Sequence, residues 1–142
     1  MSKTNDALLV YTDGAARGNP GPAAIAYAIF DPEGECLEKD SKTIGVRTNN
    51  QAEYEALIWA VERVARHGPK RVRFHSDSEV MVRQIKGRYR VKNQGLRERH
   101  EALVKLLEGL PSVSFSNLRR ENPRIQLVDR LVNAALDSDC RK

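Results

Sequence analysis

The sequence predicts a mixed α/β domain in which a five-stranded sheet is flanked by helices. Three observations lead to this prediction: apolar runs of strand length, a change to alternating helices and strands near residue 50, and a length of 142 residues. The order of elements, β-β-β-α-β-α-β-α, indicates a three-stranded antiparallel meander followed by two parallel strands. Because the sequence contains no repeat, linker or low-complexity tract, residues 1–142 are expected to form one domain.

The first half of the chain is predicted to form the meander. Ala7 to Thr12 is an apolar run typical of a central strand, and a turn-rich segment with three glycines and two prolines follows over residues 14–22. Ala23 to Phe30 is a second strand, closed by an Asp-Pro-Glu-Gly turn at residues 31–34. Leu37 to Val46 is more polar, which favours an edge strand.

The second half is predicted to alternate helices with strands. A helix over Asn50 to His67 ends at a Gly-Pro pair. The remaining predicted elements are a strand over 71–76, a helix over 78–85, a helix over 97–110, a strand over 112–117 and a helix over 127–136.

The composition favours a globular protein with a polyanionic partner. Hydrophobic residues make up 40% and charged residues 30% of the chain, which is normal for a folded domain rather than a disordered one. No apolar run approaches the roughly 20 residues that a membrane helix needs, and the polar N-terminus carries no signal-peptide pattern. We therefore expect a cytoplasmic protein with no membrane partner. A formal charge of +5 favours nucleic acid among possible partners.

Three carboxylates occupy positions where structural residues would be expected. Asp13 follows the first predicted strand and precedes Gly14, which would let the backbone turn and project the carboxylate past the sheet. Glu53 extends the apolar helix stripe that continues at positions 57, 60 and 64. Asp77 lies between a strand and a helix, and the parallel arrangement would bring it near Asp13.

Each carboxylate also has a purely structural interpretation. Asp13 could belong to a turn, Glu53 could interact with a helix N-terminus, and Asp77 could cap the following helix. Asp129, at the margin of the last helical stripe, could be a solvated helix residue. Convergence favours function, because carboxylates gathered without a partner are costly.

Oxygen ligands of this kind suit Mg²⁺, or Mn²⁺ as the alternative, and a pair of such ions can promote phosphoryl displacement. The three histidines lack metal-ligand spacing. The sequence therefore predicts a magnesium-dependent enzyme that acts on phosphates.

Four segments together resemble type 1 ribonuclease H. They are YTDGAARGNPGP from residue 11, TNNQAEYEAL from residue 48, HSDSE from residue 75 and YRVKN from residue 89, in order and at plausible distances. The resemblance extends from about Ala7 to Leu136. It implies a ribonuclease H-like fold and an endonuclease that cuts the RNA strand of RNA–DNA hybrids, leaving a 3′-hydroxyl and a 5′-phosphate.

The resemblance also implies roles for individual residues. Asp13, Glu53 and Asp77 match three of the family's four metal-binding acids, which hold two ions when substrate is bound. Asn19, Asn49 and Asn50 match positions that touch the hybrid, and Thr48 matches a phosphate contact. Asparagine amides can read groove edges and sugar hydroxyls, and glycines such as Gly14 permit close backbone approach, although turn formation explains the glycines as well.

The chain departs from the family pattern in two respects. The family places its last Asp four residues after an Asn, whereas Asn122 is separated from Asp129 by a longer stretch. Asp129 remains the predicted ligand, because the helix after it matches the family, and Glu121 and Asp137 are alternatives. The loop His of many relatives is also absent; Arg119, Arg120 or Arg124 could take part of its role.

A short basic segment is predicted to contact phosphates. It contains Arg88, Tyr89 and Lys92, and it could equally be a solvated loop. Two other functions stay open: a catalytically silent hybrid-binding module, and a nuclease of the same fold that acts on RNA or DNA duplexes. We expect a monomer.

Overall fold

The sheet has the predicted five strands in a mixed arrangement. The computed structural model describes residues 6–87, 91 and 93–140. The strands are β1 (Ala7–Ala16), β2 (Gly21–Phe30), β3 (Cys36–Arg47), β4 (Arg71–Ser76) and β5 (Val113–Asn117), in the spatial order β3-β2-β1-β4-β5. β2 pairs antiparallel with β1 and β3, whereas β4 pairs parallel with β1 and β5. The predicted fold class is confirmed.

Four helices accompany the sheet: α1 (Asn49–Ala65), α2 (Glu79–Ile85), α3 (Gln94–Leu107) and α4 (Pro123–Cys140). α4 begins four residues before the predicted start. Asn122 explains the difference, because its Oδ1 accepts the backbone N–H groups of Arg124 at 3.0 Å and Ile125 at 3.3 Å. Pro123 follows in the first helical position, where its missing N–H costs nothing.

β1 is longer than the sequence predicted. The expected turn over residues 14–22 shrinks to residues 17–20, because β1 continues through Asp13 to Ala16 and pairs with β2 up to the Ala16–Ala23 pair. Asp13 therefore lies inside an antiparallel pairing, opposite Ala26, rather than at the end of a strand. The interpretation of Gly14 as a turn residue was wrong.

Apolar layers cover both faces of the sheet. On one face α1 packs against the central strands and α3 packs against α1, around a core that includes Tyr54, Leu57 and Phe74. On the other face α4 packs against β1 and β2 through Val128 and Val132. In the described part of the chain, no helix combines the length and the apolar character required to cross a membrane.

A charged network joins the edge strand β3 to the end of α1. The Glu38 carboxylate accepts hydrogen bonds from Tyr27 Oη, from Arg63 Nε at 2.7 Å and from His67 Nε2, which lies 2.9 Å from it. Burial raises the pKa of Glu38, but these hydrogen bonds outweigh burial and lower it from 4.5 to about 2. The ionised form is therefore the one that the fold stabilises.

Replacing Glu38 by Gln should weaken the fold and change its acid unfolding. A carboxyl whose pKa is lowered in the native state adds stability above its unfolded pKa of 4.5, and that stability is lost as the pH falls toward about 2. We expect Glu38→Gln to lower the free energy of unfolding at pH 7 by about 1–3 kcal/mol. We also expect a smaller loss between pH 4.5 and 2, measured by urea unfolding.

The exposed Glu33, in the β2–β3 turn, offers a matched control. Glu33→Gln should leave both the free energy of unfolding and its pH dependence at wild-type values. Equal behaviour of the two variants would show that the Glu38 network adds no stability.

Candidate active site

Contact between β1 and α1 defines one side of the candidate site. A Cβ on Gly14 would overlap the Ala52 carbonyl group, so only glycine lets the start of α1 approach β1 this closely. The Gly14 N–H donates a hydrogen bond of 3.0 Å to Glu53 Oε1. This bond aims the Glu53 carboxylate at the strand that carries Asp13.

The two aspartates meet because they follow neighbouring parallel strands. The parallel pairing of β1 with β4 ends at Tyr11 and His75. Asp13 and Asp77 each come two residues later, so they leave the paired region at the same edge of the sheet. One carboxylate oxygen from each of Asp13, Glu53 and Asp77 lies within 4.8 Å of the others. The structure thus brings these three predicted acids together.

Asp77 is not the cap of α2. Ser78 is the capping residue, and its Oγ accepts the Met81 N–H at 3.3 Å. Ser76 Oγ accepts the Ser78 N–H at 3.0 Å, which fixes the strand-to-helix connection on either side of Asp77. Its carboxylate is therefore directed at the other acids without a role in helix capping.

Burial and mutual repulsion make the cluster electrostatically unfavourable when it is fully ionised. Burial, together with the charges of Asp77 and Asp129, raises the pKa of Asp13 to about 8. Burial, followed by the charges of Asp13 and Asp77, also raises the pKa of Glu53 well above its ordinary value. A divalent cation would offset this repulsion.

The donor set fits a hard divalent cation. It consists of carboxylate oxygens, the ligands that Mg²⁺ and Mn²⁺ prefer, with no sulfur or imidazole within the cluster. Asp13 is buried, whereas Asp77 is half-buried, so the cluster is open on one side. Such a site can hold a cation and still admit further oxygen ligands.

Asp129 approaches the cluster from α4. It lies on the exposed side of the helix, yet its side chain reaches the Asp13 carboxyl and contributes to the raised pKa of Asp13. It is not one of the three acids whose oxygens lie within 4.8 Å of each other. The alternative Asp137 is instead paired with Arg17 at 2.6 Å.

The Asn-Pro pair at residues 122–123 is the sequence signal that could have predicted this longer α4.

Two of the three arginines considered as replacements for a loop His have clear positions. Arg120 Nε lies 3.6 Å from Asp77 Oδ2, and the Arg120 side chain is 84% exposed. Its charge also lowers the pKa of Glu53 and so opposes the effect of burial. Arg124 lies elsewhere, with its guanidinium 4.1 Å from the centre of the Phe30 ring. Arg120 is therefore the arginine beside the acidic cluster.

The predicted substrate residues cluster where the β1–β2 turn meets α1. Asn19 Oδ1 accepts the Asn49 N–H at 3.0 Å, and Asn49 Oδ1 accepts the Ala16 N–H at 2.7 Å. Thr48 caps α1 in a capping box with Gln51. These bonds lock the turn to the helix.

Asn19, Asn49 and Asn50 are exposed at this junction. The other predicted contacts, Arg88, Tyr89 and Lys92, lie outside the described residues.

Comparison with known proteins identifies the family. Residues 11–135 match the family model described as "Reverse transcriptase-like". The chain is 31% identical to a ribonuclease H of Methylococcus capsulatus over 159 aligned positions, which cover 96% of this chain and 94% of the relative. The chain belongs to the type 1 ribonuclease H family.

Solved structures of ribonuclease H1 proteins have the same fold. The crystal structure of ribonuclease H1 from Halobacterium salinarum superposes on this chain with a TM-score of 0.89 at 36% identity. The superposition covers 93% of this chain and 98% of the Halobacterium chain. LC11-RNase H1, isolated from compost, was solved in complex with an RNA/DNA hybrid; it superposes with a TM-score of 0.86 at 42% identity, covering 94% and 99% of the two chains.

Some relatives are longer than this chain. It is 38% identical over 128 residues to the ribonuclease HI of Halobacterium salinarum, covering 89% of this chain but 63% of the relative. It covers 36% of a bifunctional protein of Mycobacterium tuberculosis. These proteins therefore contain segments without a counterpart here.

Replacing Asp13 by Asn should stabilise the metal-free protein at alkaline pH. A carboxyl whose native pKa is about 8, against 3.8 when unfolded, binds more protons in the native state, so stability falls as the pH rises between these values. Without the carboxyl this loss disappears, and we expect the melting temperature at pH 8 to rise by about 4 °C or more. Calorimetry in EDTA would measure it.

Added Mg²⁺ should raise the melting temperature of the wild type more than that of Asp13→Asn, since ligands stabilise the state that binds them. The exposed Glu62, on the solvent side of α1, supplies the control substitution Glu62→Gln, which should respond to Mg²⁺ as the wild type does. A metal-free Asp13→Asn protein that melts below the wild type at pH 8 would contradict the electrostatic account.

Proposed function

We propose that this protein is a metal-dependent endoribonuclease that hydrolyses the RNA strand of RNA–DNA hybrids, leaving 3′-hydroxyl and 5′-phosphate ends. The convergence of Asp13, Glu53 and Asp77 is the observation that carries this proposal, since three carboxylate oxygens within 4.8 Å of one another could hold a divalent cation. The related LC11-RNase H1, solved with an RNA/DNA hybrid, supports the substrate class.

We further propose that Asp13, Glu53, Asp77 and Asp129 hold two Mg²⁺ ions, with Mn²⁺ as a substitute, when substrate is bound. When bound, such a pair supplies an activated water and stabilises the departing 3′-oxygen. The carboxylates must be ionised for this, so metal binding displaces the proton that the raised pKa of Asp13 favours. Arg120, beside Asp77, adds a positive charge near the phosphate and is the residue best placed to assume part of the missing histidine's role.

The β1–β2 turn and the start of α1 form the proposed hybrid contact. Because the Oδ1 atoms of Asn19 and Asn49 accept backbone N–H groups, their Nδ2 groups are the donors that this part of the described structure leaves for a substrate. Thr48 Oγ1 accepts the Gln51 N–H and retains its own O–H for a phosphate oxygen. Gly14 acts indirectly, by letting α1 approach β1. Asn50, exposed in the first turn of α1, completes the surface.

The basic segment with Arg88, Tyr89 and Lys92 is proposed to add phosphate contacts, which should weaken steeply with salt. A monomeric state and a cytoplasmic location are further proposals, based on the sequence alone.

Cleavage of a labelled RNA–DNA hybrid is the decisive experiment. With Mg²⁺ or Mn²⁺ we expect cutting of the RNA strand only, no cutting in EDTA, and little cutting of matched RNA or DNA duplexes. Asp13→Asn and Asp77→Asn should each lower the rate on the order of a thousandfold, because ligand loss removes several kcal/mol of transition-state stabilisation. Glu62→Gln is the control and should cut at the wild-type rate.

The alternatives give different results in the same assay. A silent binding module would retain hybrid in Mg²⁺ and cut none of it. A duplex nuclease of the same fold would cut the RNA or DNA duplex at least as fast as the hybrid. Asp129→Asn tests the fourth ligand separately, and full activity of that variant would remove Asp129 from the metal site.

Asn49→Asp should separate substrate binding from folding. Aspartate keeps the Oδ1 acceptor for the Ala16 N–H, so the melting temperature should change by less than about 3 °C. It replaces the Nδ2 donor by a negative charge, so the Kd for hybrid should rise about tenfold or more. Fluorescence anisotropy in Ca²⁺ would measure binding without cutting, and unchanged affinity would rule out a substrate contact at Asn49.

A further inference from the structure

A second contact between β1 and α4 lies beyond the acidic cluster. Arg17, which directly follows β1, places its Nη2 2.6 Å from Asp137 Oδ1 and 3.5 Å from the Asn133 carbonyl oxygen. Both partners belong to α4. The same helix carries Asp129, whose side chain meets Asp13 of β1.

The spacing between the two contacts is nearly the same along β1 as along α4. Asp13 and Arg17 are four residues apart, and the chain between them is extended as far as Ala16, a span of about 13 Å. Asp129 and Asp137 are eight residues apart in a helix, a span of about 12 Å. Asp129, Asn133 and Asp137 recur at intervals of four and therefore share one side of α4. The helix thus runs alongside β1 and meets it at two equally spaced points.

The contacts have opposite electrostatic signs. Asp129 and Asp13 repel each other when both are ionised, whereas Arg17 and Asp137 attract. The backbone of Arg17 is held in place by two contacts. The Arg17 N–H donates to the Pro22 carbonyl oxygen at 2.8 Å, and Gly21 packs so closely on the Arg17 carbonyl that a Cβ on Gly21 would not fit. The Arg17–Asp137 ion pair adds a directional polar contact to the apolar packing of Val128 and Val132 against the sheet.

We propose that Arg17 and Asp137 are positioning residues that hold α4 along β1 and thereby keep Asp129 within reach of the metal site. The inference rests on the proposed function, in which Asp129 is a ligand. In this account Arg17 acts on the metal site through α4, by way of its contacts with Asp137 and Asn133. Its effect should therefore appear in metal binding rather than in the affinity for hybrid.

Metal titration of three variants tests this. Arg17→Ala and Asp137→Asn should each raise the Mg²⁺ concentration for half-maximal cleavage about two- to fivefold, as expected for loss of a partly exposed ion pair. The Kd for Mg²⁺ in calorimetry should rise by the same factor, while the KM for hybrid and the kcat at saturating Mg²⁺ stay within about twofold of the wild type. The charge swap Arg17→Asp with Asp137→Arg should restore both metal values.

The Asp6–Lys70 pair provides matched controls. It is an exposed ion pair with an N–O distance of 4.0 Å at the opposite end of β1. Asp6→Asn and Lys70→Ala should leave the Mg²⁺ dependence unchanged. Melting temperatures of all variants would identify any that fail to fold, and Arg17→Lys, which keeps the charge, should then give an intermediate metal requirement.

The outcomes separate this inference from the proposed function. If Arg17 contacts a phosphate instead, Arg17→Ala will raise the KM for hybrid, Asp137→Asn will not, and the charge swap will restore nothing; the inference is then wrong. Hybrid cleavage with wild-type metal dependence in both single variants also overturns it and leaves the function intact. A weaker Mg²⁺ Kd in both variants of a protein that cuts no hybrid supports the positioning role and rejects the function.

Discussion

Repulsion among converging carboxylates is the constraint on which the structure of this site depends. Three acids with oxygens within 4.8 Å of each other oppose folding unless protons or a cation neutralise them. The fold tolerates this cost because each acid is fixed by backbone that is stable for other reasons. Asp13 is held in a central strand, Asp77 follows the β4 strand and Glu53 accepts the Gly14 N–H. Apolar packing on both faces of the sheet therefore stabilises the backbone positions that hold the three carboxylates together despite their repulsion.

The site also depends on both layers of helices. α1 places Glu53 in the cluster from one face of the sheet, and Asp129 of α4, on the other face, contacts Asp13, so the acids meet where both layers reach β1. Gly14 sets the distance between α1 and β1, because it lets the helix approach the strand closely. No comparable close backbone contact sets the distance between α4 and β1 at Asp129, because Asp129 reaches Asp13 with a side chain from the exposed side of the helix. The two halves of the site are therefore held by different physical means.

The sequence predicted the order of strands and helices along the chain, because apolar runs and a helical stripe are local patterns. The predicted parallel arrangement also brought Asp77 near Asp13. Prediction from the sequence failed where long-range contacts decide. Asp13 was expected at a strand end, but pairing with β2 extends β1 to Ala16 despite the glycine at position 14. The ion pair between Arg17 and Asp137 joins residues 120 positions apart in the sequence, and no local pattern predicts it. The Asn122 cap of α4, by contrast, is a local feature, since Asn122 and Pro123 together form a helix-start signal.

The longer stretch between Asn122 and Asp129 is absorbed by helix rather than by a loop. Residues 123–128 are helical, so Asp129 lies about 9 Å along the α4 axis from its start. Its direction is then set by the rotation of α4 on the sheet, which the buried Val128 and Val132 determine. A flexible loop would let the Asp129 carboxylate move independently of α4, whereas a helix transmits any shift along its length. In this chain, the position of the Asp129 carboxylate therefore depends on the whole contact between β1 and α4.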